Sequence, residues 1–312
     1  MIKILNDVSL KDYASFKLDC SARYFLRAES WEDIISGVEW ACKEGVPYVV
    51  LGSASNVIFG QAVYPGLVIK NARSGILAGE KEGVVRVSSG TLMAAVVDYF
   101  VESGFGGLEW AGGLPGTIGG AVRGNAGAFG GEIKDSVLSV RSMAFTGSGA
   151  IERLRGNKEC GFGYRDSIFK RSGEIVLEVE LAYKKAVKAE IKKAVDGCIE
   201  YRRAHLPLEY PSAGSFFKNI PLADAPDRAR EQFKAVVKND PFSLIPVAAI
   251  VAGLGLMGSH IGGAAVSDKH PNFIINKGGA SFSDIIAVAE LVEKAVYDSY
   301  GIKLEREVQL IG

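Results

Sequence analysis

Histidine is the scarcest chemistry-bearing residue in this chain. There are three in 312 residues (His205, His260 and His270), which supplies a hydrolytic triad poorly. Cysteine is almost as sparse. Cys20, Cys42, Cys160 and Cys198 form no CxxC pair and adjoin no histidine cluster. That argues against a zinc site or a disulfide framework and for reduced thiols in a cytoplasm. Net charge is missing too. The 36 basic residues cancel the 36 acidic ones, with no Lys/Arg block, so nucleic acid is a poor partner.

Long hydrophobic runs are also absent. The N-terminal MIKILNDVSLKDY carries charges throughout and has no apolar core of signal-peptide length. From Phe242 to Ser267 there is no Asp, Glu, Lys or Arg, yet the strongly apolar part, Leu244 to Met257, is 14 residues, short of the ~20 that span a bilayer. Glycines at 253, 255, 258, 262 and 263 and His260 break up the rest, so the stretch reads as a buried helix followed by a tight loop. Gly253 to Gly258 matches GxGxxG formally. A nucleotide fingerprint needs a strand before it and a helix after it. Here the order is reversed, and the match is treated as chance.

What is present is an ordinary globular composition, 48% hydrophobic and 23% charged, in a chain long enough for two or three domains. Periodicity predicts a helix over 31–44, strands over 48–51, 67–70 and 84–88, and a helix over 91–103. A long glycine-rich loop follows over 104–132, then strands over 137–145 and 174–183. A charged amphipathic helix is expected over 187–204. The last part carries a strand at 273–276, a helix opened by Ser281 and Asp284 and closed by Gly301, and a final strand over 304–311.

Two small-residue loops and one charged segment carry chemistry. Gly52-Ser-Ala-Ser-Asn56 follows a buried strand; it is either a simple turn or a backbone that approaches an anion, with Ser53, Ser55 and Asn56 as donors. Gly112 to Ala121, continuing through Asn125 to Gly131, is dense in glycine yet holds Leu114, Pro115, Ile118 and Phe129. A flexible linker would not, whereas a backbone wrapping a dinucleotide pyrophosphate would. Two such loops without a genuine GxGxxG favour a flavin cradle. In Lys158 to Lys170, Tyr164, Arg165 and Asp166 adjoin Ser167 and Phe169; the Arg165 fork fits carboxylate or phosphate, so it is either a fixed anion-holding site or a solvated surface arginine. Ser215, before Phe216, Phe217, Lys218 and Asn219, reads as a proton donor, a ligand contact or a turn serine; no GxSxG surrounds it. Glu307 shares a strand face with Glu305 and Gln309, either a solvent face or an acid carried into a cleft.

Together these segments resemble the UDP-N-acetylenolpyruvoylglucosamine reductase family over nearly the whole chain. The motifs are Ser55-Asn56, GLPGTIGGA at 113–121, NAGAFGGE at 125–132, GYRDSIFK at 163–170, PSAGSFFKN at 211–219, GGAAVSDKHPNFIIN at 262–276 and LEREVQLIG at 304–312. The spacing resembles the shorter subtype, without an extra substrate-covering loop. The resemblance implies an α+β fold: a two-part FAD-binding module of the vanillyl-alcohol-oxidase/PCMH type (1–72 and 73–200), a C-terminal α+β substrate-binding domain (201–302), and a strand at 303–312 returning to the FAD-binding part.

It further implies non-covalent FAD and NADPH as co-substrate, in a cytoplasmic enzyme of peptidoglycan precursor synthesis acting on a UDP-sugar enolpyruvate, with no nucleic acid, metal or membrane insertion. Arg165 then holds the enolpyruvyl carboxylate, Ser215 protonates the intermediate and Glu307 stabilises it. Tyr164, Lys218 and Asn219 contact substrate. Gly52, Ser53, Ala54, Ser55, Asn56, Gly113, Pro115, Gly116, Thr117, Gly119, Gly120 and Asn125 bind the cofactor. The chain departs from the family pattern at Ala54, where a glycine is usual, at Cys20-Ser21 for Gly-Gly, at Ile220 for proline, at Met257 for lysine, and around Val251-Ala252, where an acid is missing. None touches Arg165, Ser215 or Glu307; the Ala54 methyl bears on FAD affinity. The rivals are a flavin oxidase of the same fold, against which the lack of His or Cys over 52–60 counts, and a flavin-binding relic without turnover.

Overall fold

The computed structural model describes residues 2–146, 149–239 and 242–312. They divide into two compact units. One holds the chain up to Val8 with Ala22–Ser53 and Pro65–Tyr201; the other holds Ser9–Ser21, Ala54–Tyr64 and Arg202–Gly312.

The first unit is built on two sheets. A four-stranded sheet runs in the order Leu5–Ser9, Ser21–Ala28, Val63–Asn71, Tyr48–Leu51. The Trp31–Glu44 helix is fixed at both ends by its sequence. Asp33 N donates to Ser30 Oγ at 3.0 Å, Ser30 N donates to Asp33 Oδ2 at 3.0 Å, and Gly45 closes the helix at φ +66°. Ile34, Val38 and Ala41 recur on its buried stripe and pack with Leu26, Leu67 and Ile69. Tyr48–Leu51 pairs in parallel with Leu67–Lys70. Gly52 therefore leaves the carboxyl end of a parallel pair, where sheets of this kind present ligand loops.

The second sheet of this unit is antiparallel, in the order Gly149–Gly156, Val137–Thr146, Ile175–Ala182, Val84–Ser88, Ile76–Ala78. Its middle strand is buried on both faces along most of its length, with Ile175, Val176, Leu177, Val179 and Leu181 apolar and Glu178 and Glu180 between them. The Met93–Ser103 helix and a short Ile118–Arg123 helix bury Met93, Val96, Phe100, Ile118 and Val122 with Val85, Val87 and Val179. That short helix lies inside the expected 104–132 loop. Thr117 opens it, its Oγ1 accepting from Gly120 N at 3.4 Å.

In the second unit the Phe282–Tyr300 helix is the backbone of the core. Ser281 and Asp284 form the expected capping box, with bonds of 3.1 and 2.9 Å, and Gly301 ends the helix at φ +71°. Its apolar stripe, from Ile285 through Val288, Val292 and Val296, packs with Val247, Ile250, Val251 and Ile274, and with Phe16, Leu18 and Ile58. The Val247–Gly253 helix precedes the formal GxGxxG, and the short His260–Ile261 strand follows it, so no nucleotide-fingerprint context exists there. The final strand is shorter than expected. Only Gln309–Ile311 is strand, paired in parallel with Val57–Phe59, and Leu310 is exposed. Upstream, Glu307 N and Val308 N both donate to Phe216 O, at 2.8 and 3.4 Å, a bulge that breaks the simple alternation assumed from sequence.

Candidate active site

The first and second small-residue loops meet within the first unit. A Cβ on Gly52 would lie 2.2 Å from Thr117 Oγ1, and one on Gly119 would lie 2.8 Å from Ser89 Cβ. Both positions need glycine for want of space. Gly119 N donates to Ser89 O at 2.9 Å and Ile118 N to Thr91 O at 2.9 Å, which locks the second loop against the end of the Val84–Ser88 strand. Lys70 Nζ donates to Gly52 O and so tethers the first loop from the neighbouring strand. Burial, and secondarily Arg27, holds the Lys70 ammonium below the usual lysine range. The sequence reading missed Lys70, which looks like an ordinary strand residue. Gly113 and Gly116 stand at φ +70° and +123°, flanking Leu114 and Pro115.

A second group in this unit is built around Arg165. Gly163 N donates to Asp166 O at 3.0 Å and Asp166 N to Gly163 O at 3.2 Å, closing a tight turn whose third residue, Arg165, is held at φ +53°. Its Nη2 donates to Gly127 O at 2.8 Å, its guanidinium carbon lies 5.2 Å from the Tyr164 ring centroid, and Lys170 Nζ donates to its carbonyl at 3.2 Å. Fully buried Asn125, itself at φ +42°, braces the turn: Nδ2 donates to Gly163 O at 2.9 Å and Oδ1 accepts from Lys134 N at 3.3 Å. Asn125 therefore joins the glycine-rich loop to the Arg165 turn.

Other expected residues gather in the second unit. Residues 215–218 run antiparallel beside 305–307: Phe217 bridges Arg306, and Lys218 N donates to Glu305 O at 2.9 Å. Ser215 bridges Phe273 on the other side. Asn272 holds this strip from both ends of its amide, accepting from Phe217 N at 3.1 Å and donating to Phe217 O at 2.8 Å. Asn272 lies within the 262–276 motif, but an amide imitating a strand neighbour leaves no periodic signal in the sequence. Asn56 Nδ2 donates to Glu307 O at 3.2 Å, and Asn56 O accepts from Gln309 N at 3.0 Å. Ala54, in a left-handed conformation at φ +47°, is nearly buried, and its carbonyl accepts from Ser15 N at 3.4 Å and Ser15 Oγ at 3.3 Å. Asn219 Oδ1 accepts from Val247 N at 3.1 Å, at the start of the Val247–Gly253 helix. Lys218 Nζ lies 2.6 Å from Glu305 Oε1.

Two family models match. Residues 22–155 match an FAD binding domain, and residues 206–311 match the C-terminal domain of UDP-N-acetylenolpyruvoylglucosamine reductase. The reductase of Clostridium novyi (strain NT) is 36% identical over 311 residues, covering 99% of this chain and 92% of that relative. This chain belongs to that reductase family. The reductase of Geobacillus kaustophilus (strain HTA426) is 35% identical over 309 residues, covering 99% of this chain and 93% of the relative. The crystal structure of the Thermus caldophilus reductase superposes with a TM-score of 0.74 at 27% identity, covering 100% of this chain and 99% of that one.

The chain is thus an FAD-dependent oxidoreductase of α+β fold. Its own residues fit the cofactor. Ser53 Oγ is buried and has no hydrogen-bond partner among the described residues, a cost of about 1–3 kcal/mol unless a ligand oxygen meets it. It sits beside Gly52 and Thr117, where close-packed backbone suits a pyrophosphate. Among the described residues no group of three His, Cys, Asp or Glu could hold a metal, and no helix is long and apolar enough to cross a membrane.

Proposed function

We propose that this protein carries out the NADPH-dependent, FAD-mediated reduction of UDP-N-acetylglucosamine enolpyruvate to UDP-N-acetylmuramate, a cytoplasmic step of peptidoglycan precursor synthesis. The observation that carries the assignment of roles is the backbone of Arg165. A non-glycine residue in the left-handed region costs roughly 1–2 kcal/mol, and such strain collects where a side chain must be aimed. Here it falls, as it does at Ala54 and Asn125, on a residue of the candidate site, and Arg165 carries a fork that fits the enolpyruvyl carboxylate.

FAD, held by Gly52, Ser53 and the 113–120 backbone, would supply the hydride-transfer chemistry between NADPH and the methylene carbon of the enolpyruvyl group. Arg165 holds the carboxylate and stabilises the negative charge that develops on it; preorganised electrostatics of this kind is usually the largest catalytic contribution. Ser215 donates its hydroxyl proton to the neighbouring carbon, which completes the addition of two hydrogens across the double bond. Glu307, its backbone fixed through Asn56 and Phe216, acts on the same intermediate. Lys218 and Asn219 contact the sugar nucleotide with Tyr164. Ser53, Gly52 and the 113–120 backbone hold the cofactor pyrophosphate.

The test separates the half-reactions. NADPH should bleach the flavin absorbance of the purified protein, and the enolpyruvyl sugar nucleotide should restore it over many cycles. Ser215→Ala should leave bleaching nearly intact and slow substrate reduction by at least ~10²-fold, the low end for general acid catalysis. Equal slowing of both halves would remove Ser215 from its role, and bleaching without acceptor turnover would mark a flavin-binding relic.

A further inference from the structure

The strip that carries Ser215 and Glu307 also holds an ion pair that the proposed reaction does not use. Lys218 Nζ sits 2.6 Å from Glu305 Oε1, with the lysine side chain 14% exposed and the glutamate side chain 69% exposed. The two ends are unequal. A nearly buried ammonium needs an anion close by, because desolvating it alone costs several kcal/mol. The glutamate side chain is mostly exposed, so it can turn into water once another anion takes its place beside the lysine. Their backbones are not free: Lys218 N donates to Glu305 O at 2.9 Å, and Phe217 bridges Arg306. Arg306 is in turn clamped to Glu293 on the Phe282–Tyr300 helix by bonds of 2.6 and 2.9 Å. The carboxylate is therefore delivered to the lysine by a fixed main chain, while only its side chain can leave.

We infer that Glu305 is an internal stand-in for the diphosphate of the sugar nucleotide, covering Lys218 in the empty enzyme and giving way when the ligand binds. The inference rests on the proposed role of Lys218 as a substrate contact. Exchange of one carboxylate for another gains nothing, whereas a diphosphate brings more negative charge to a compact ammonium and displaces the glutamate. Arg165 is already assigned the enolpyruvyl carboxylate, which leaves the diphosphate for Lys218. A half-exposed pair of this kind contributes little, so the stand-in is reversible and its effect on affinity is modest. Glu305 is thus a specificity-determining residue: it taxes every ligand by the fraction of enzyme in which Lys218 is covered and admits those with enough charge to compete.

Glu305→Gln keeps the shape and removes the charge. In the holoenzyme it should lower KM for the sugar nucleotide about two- to fivefold with kcat unchanged, as expected from losing a competing surface-type pair. It should lower the inhibition constant of UDP by the same factor and leave that of uridine, which lacks phosphate, where it was. An unchanged or raised KM overturns the stand-in. A fall in KM with no change for UDP overturns the diphosphate assignment. Lys218→Ala separates this from the underlying reading. If it leaves KM and the UDP constant alone, Lys218 is no substrate contact. If it raises both while Glu305→Gln changes nothing, the contact stands and the stand-in fails. In the double variant the Glu305 effect should vanish; its persistence would mean that Glu305 acts by another route.

Discussion

At the scale of single residues, two of the left-handed positions, Ala54 and Arg165, pose the same physical question with different answers. Each places a Cβ where glycine is preferred. Ala54 has no functional atoms to aim; its methyl is a cost of about 1–2 kcal/mol, partly offset by the smaller entropy an alanine loses on folding. At Arg165 the same strain fixes a guanidinium over Tyr164 and against Gly127 O. Arg165→Gly should therefore relieve strain by about as much as the lost hydrogen bond and added chain entropy cost, leaving the melting temperature within a few degrees. Substrate reduction should fall by about 10²–10³-fold or more, the usual consequence of removing one charge-stabilising donor. Thermal unfolding and single-turnover kinetics on the same samples check this. A large loss of stability alongside the loss of activity would mean that Arg165 is structural.

At the scale of elements, a buried charge in the first unit is Glu174, which leads into the Ile175–Ala182 strand. Its carboxylate accepts from Arg155 at 2.6 and 3.0 Å, from Arg153 at 3.0 Å and from Ser142 Oγ at 2.7 Å, joining the edge strand to the middle of the sheet. Arg155 above all, then Ser142 and Arg153, outweigh burial and hold the Glu174 carboxyl at about 2 against an ordinary 4.5. Because the folded value is the lower one, the carboxylate stabilises the fold at pH above about 4.5, and that contribution is lost as the pH falls towards 2. At neutral pH Glu174→Gln should cost on the order of 3 kcal/mol. The urea midpoints of variant and parent should converge between pH 5 and pH 2; a constant gap would place the loss in packing instead. None of this was legible beforehand, since Glu174 follows Gly173 and reads as the polar start of a strand. What was legible were elements with local signals. The Trp31–Glu44 and Phe282–Tyr300 helices declare themselves by stripe and cap. The short Ile118–Arg123 helix did not, because glycine hides its period. The candidate site divides likewise: Arg165, Ser215 and Glu307 stood out as residue types in distinctive motifs, while Lys70 and Asn272, which work through main-chain bonds to distant segments, leave no local pattern.

At the scale of the whole molecule, the order of the chain and the composition of its units do not coincide. The family model for the C-terminal domain begins at residue 206, yet the core of the second unit includes Phe16, Leu18 and Ile58 from two earlier segments. These are buried to 1%, 6% and 1% exposure. The closing strand Gln309–Ile311 finds its partner in Val57–Phe59, and Asn276 Nδ2 donates to Phe16 O at 3.0 Å inside the same core. Removing three large side chains from one core costs several kcal/mol, since truncating a single buried Phe or Ile commonly costs about 2–5 kcal/mol, and a typical domain has only about 5–15 in hand. The fragment 202–312, expressed alone, should therefore lack a cooperative unfolding transition and show poorly dispersed amide resonances, although it contains Ser215, Lys218 and Glu307. Adding a tethered 9–21 and 54–64 segment should restore dispersion, because it returns Phe16, Leu18, Ile58 and the missing strand together. A fragment that folds cooperatively without them would show that the earlier segments only decorate this core, and that the long separation of Asn56 from Glu307 in sequence has no bearing on how the strip carrying Ser215 and Glu307 is held.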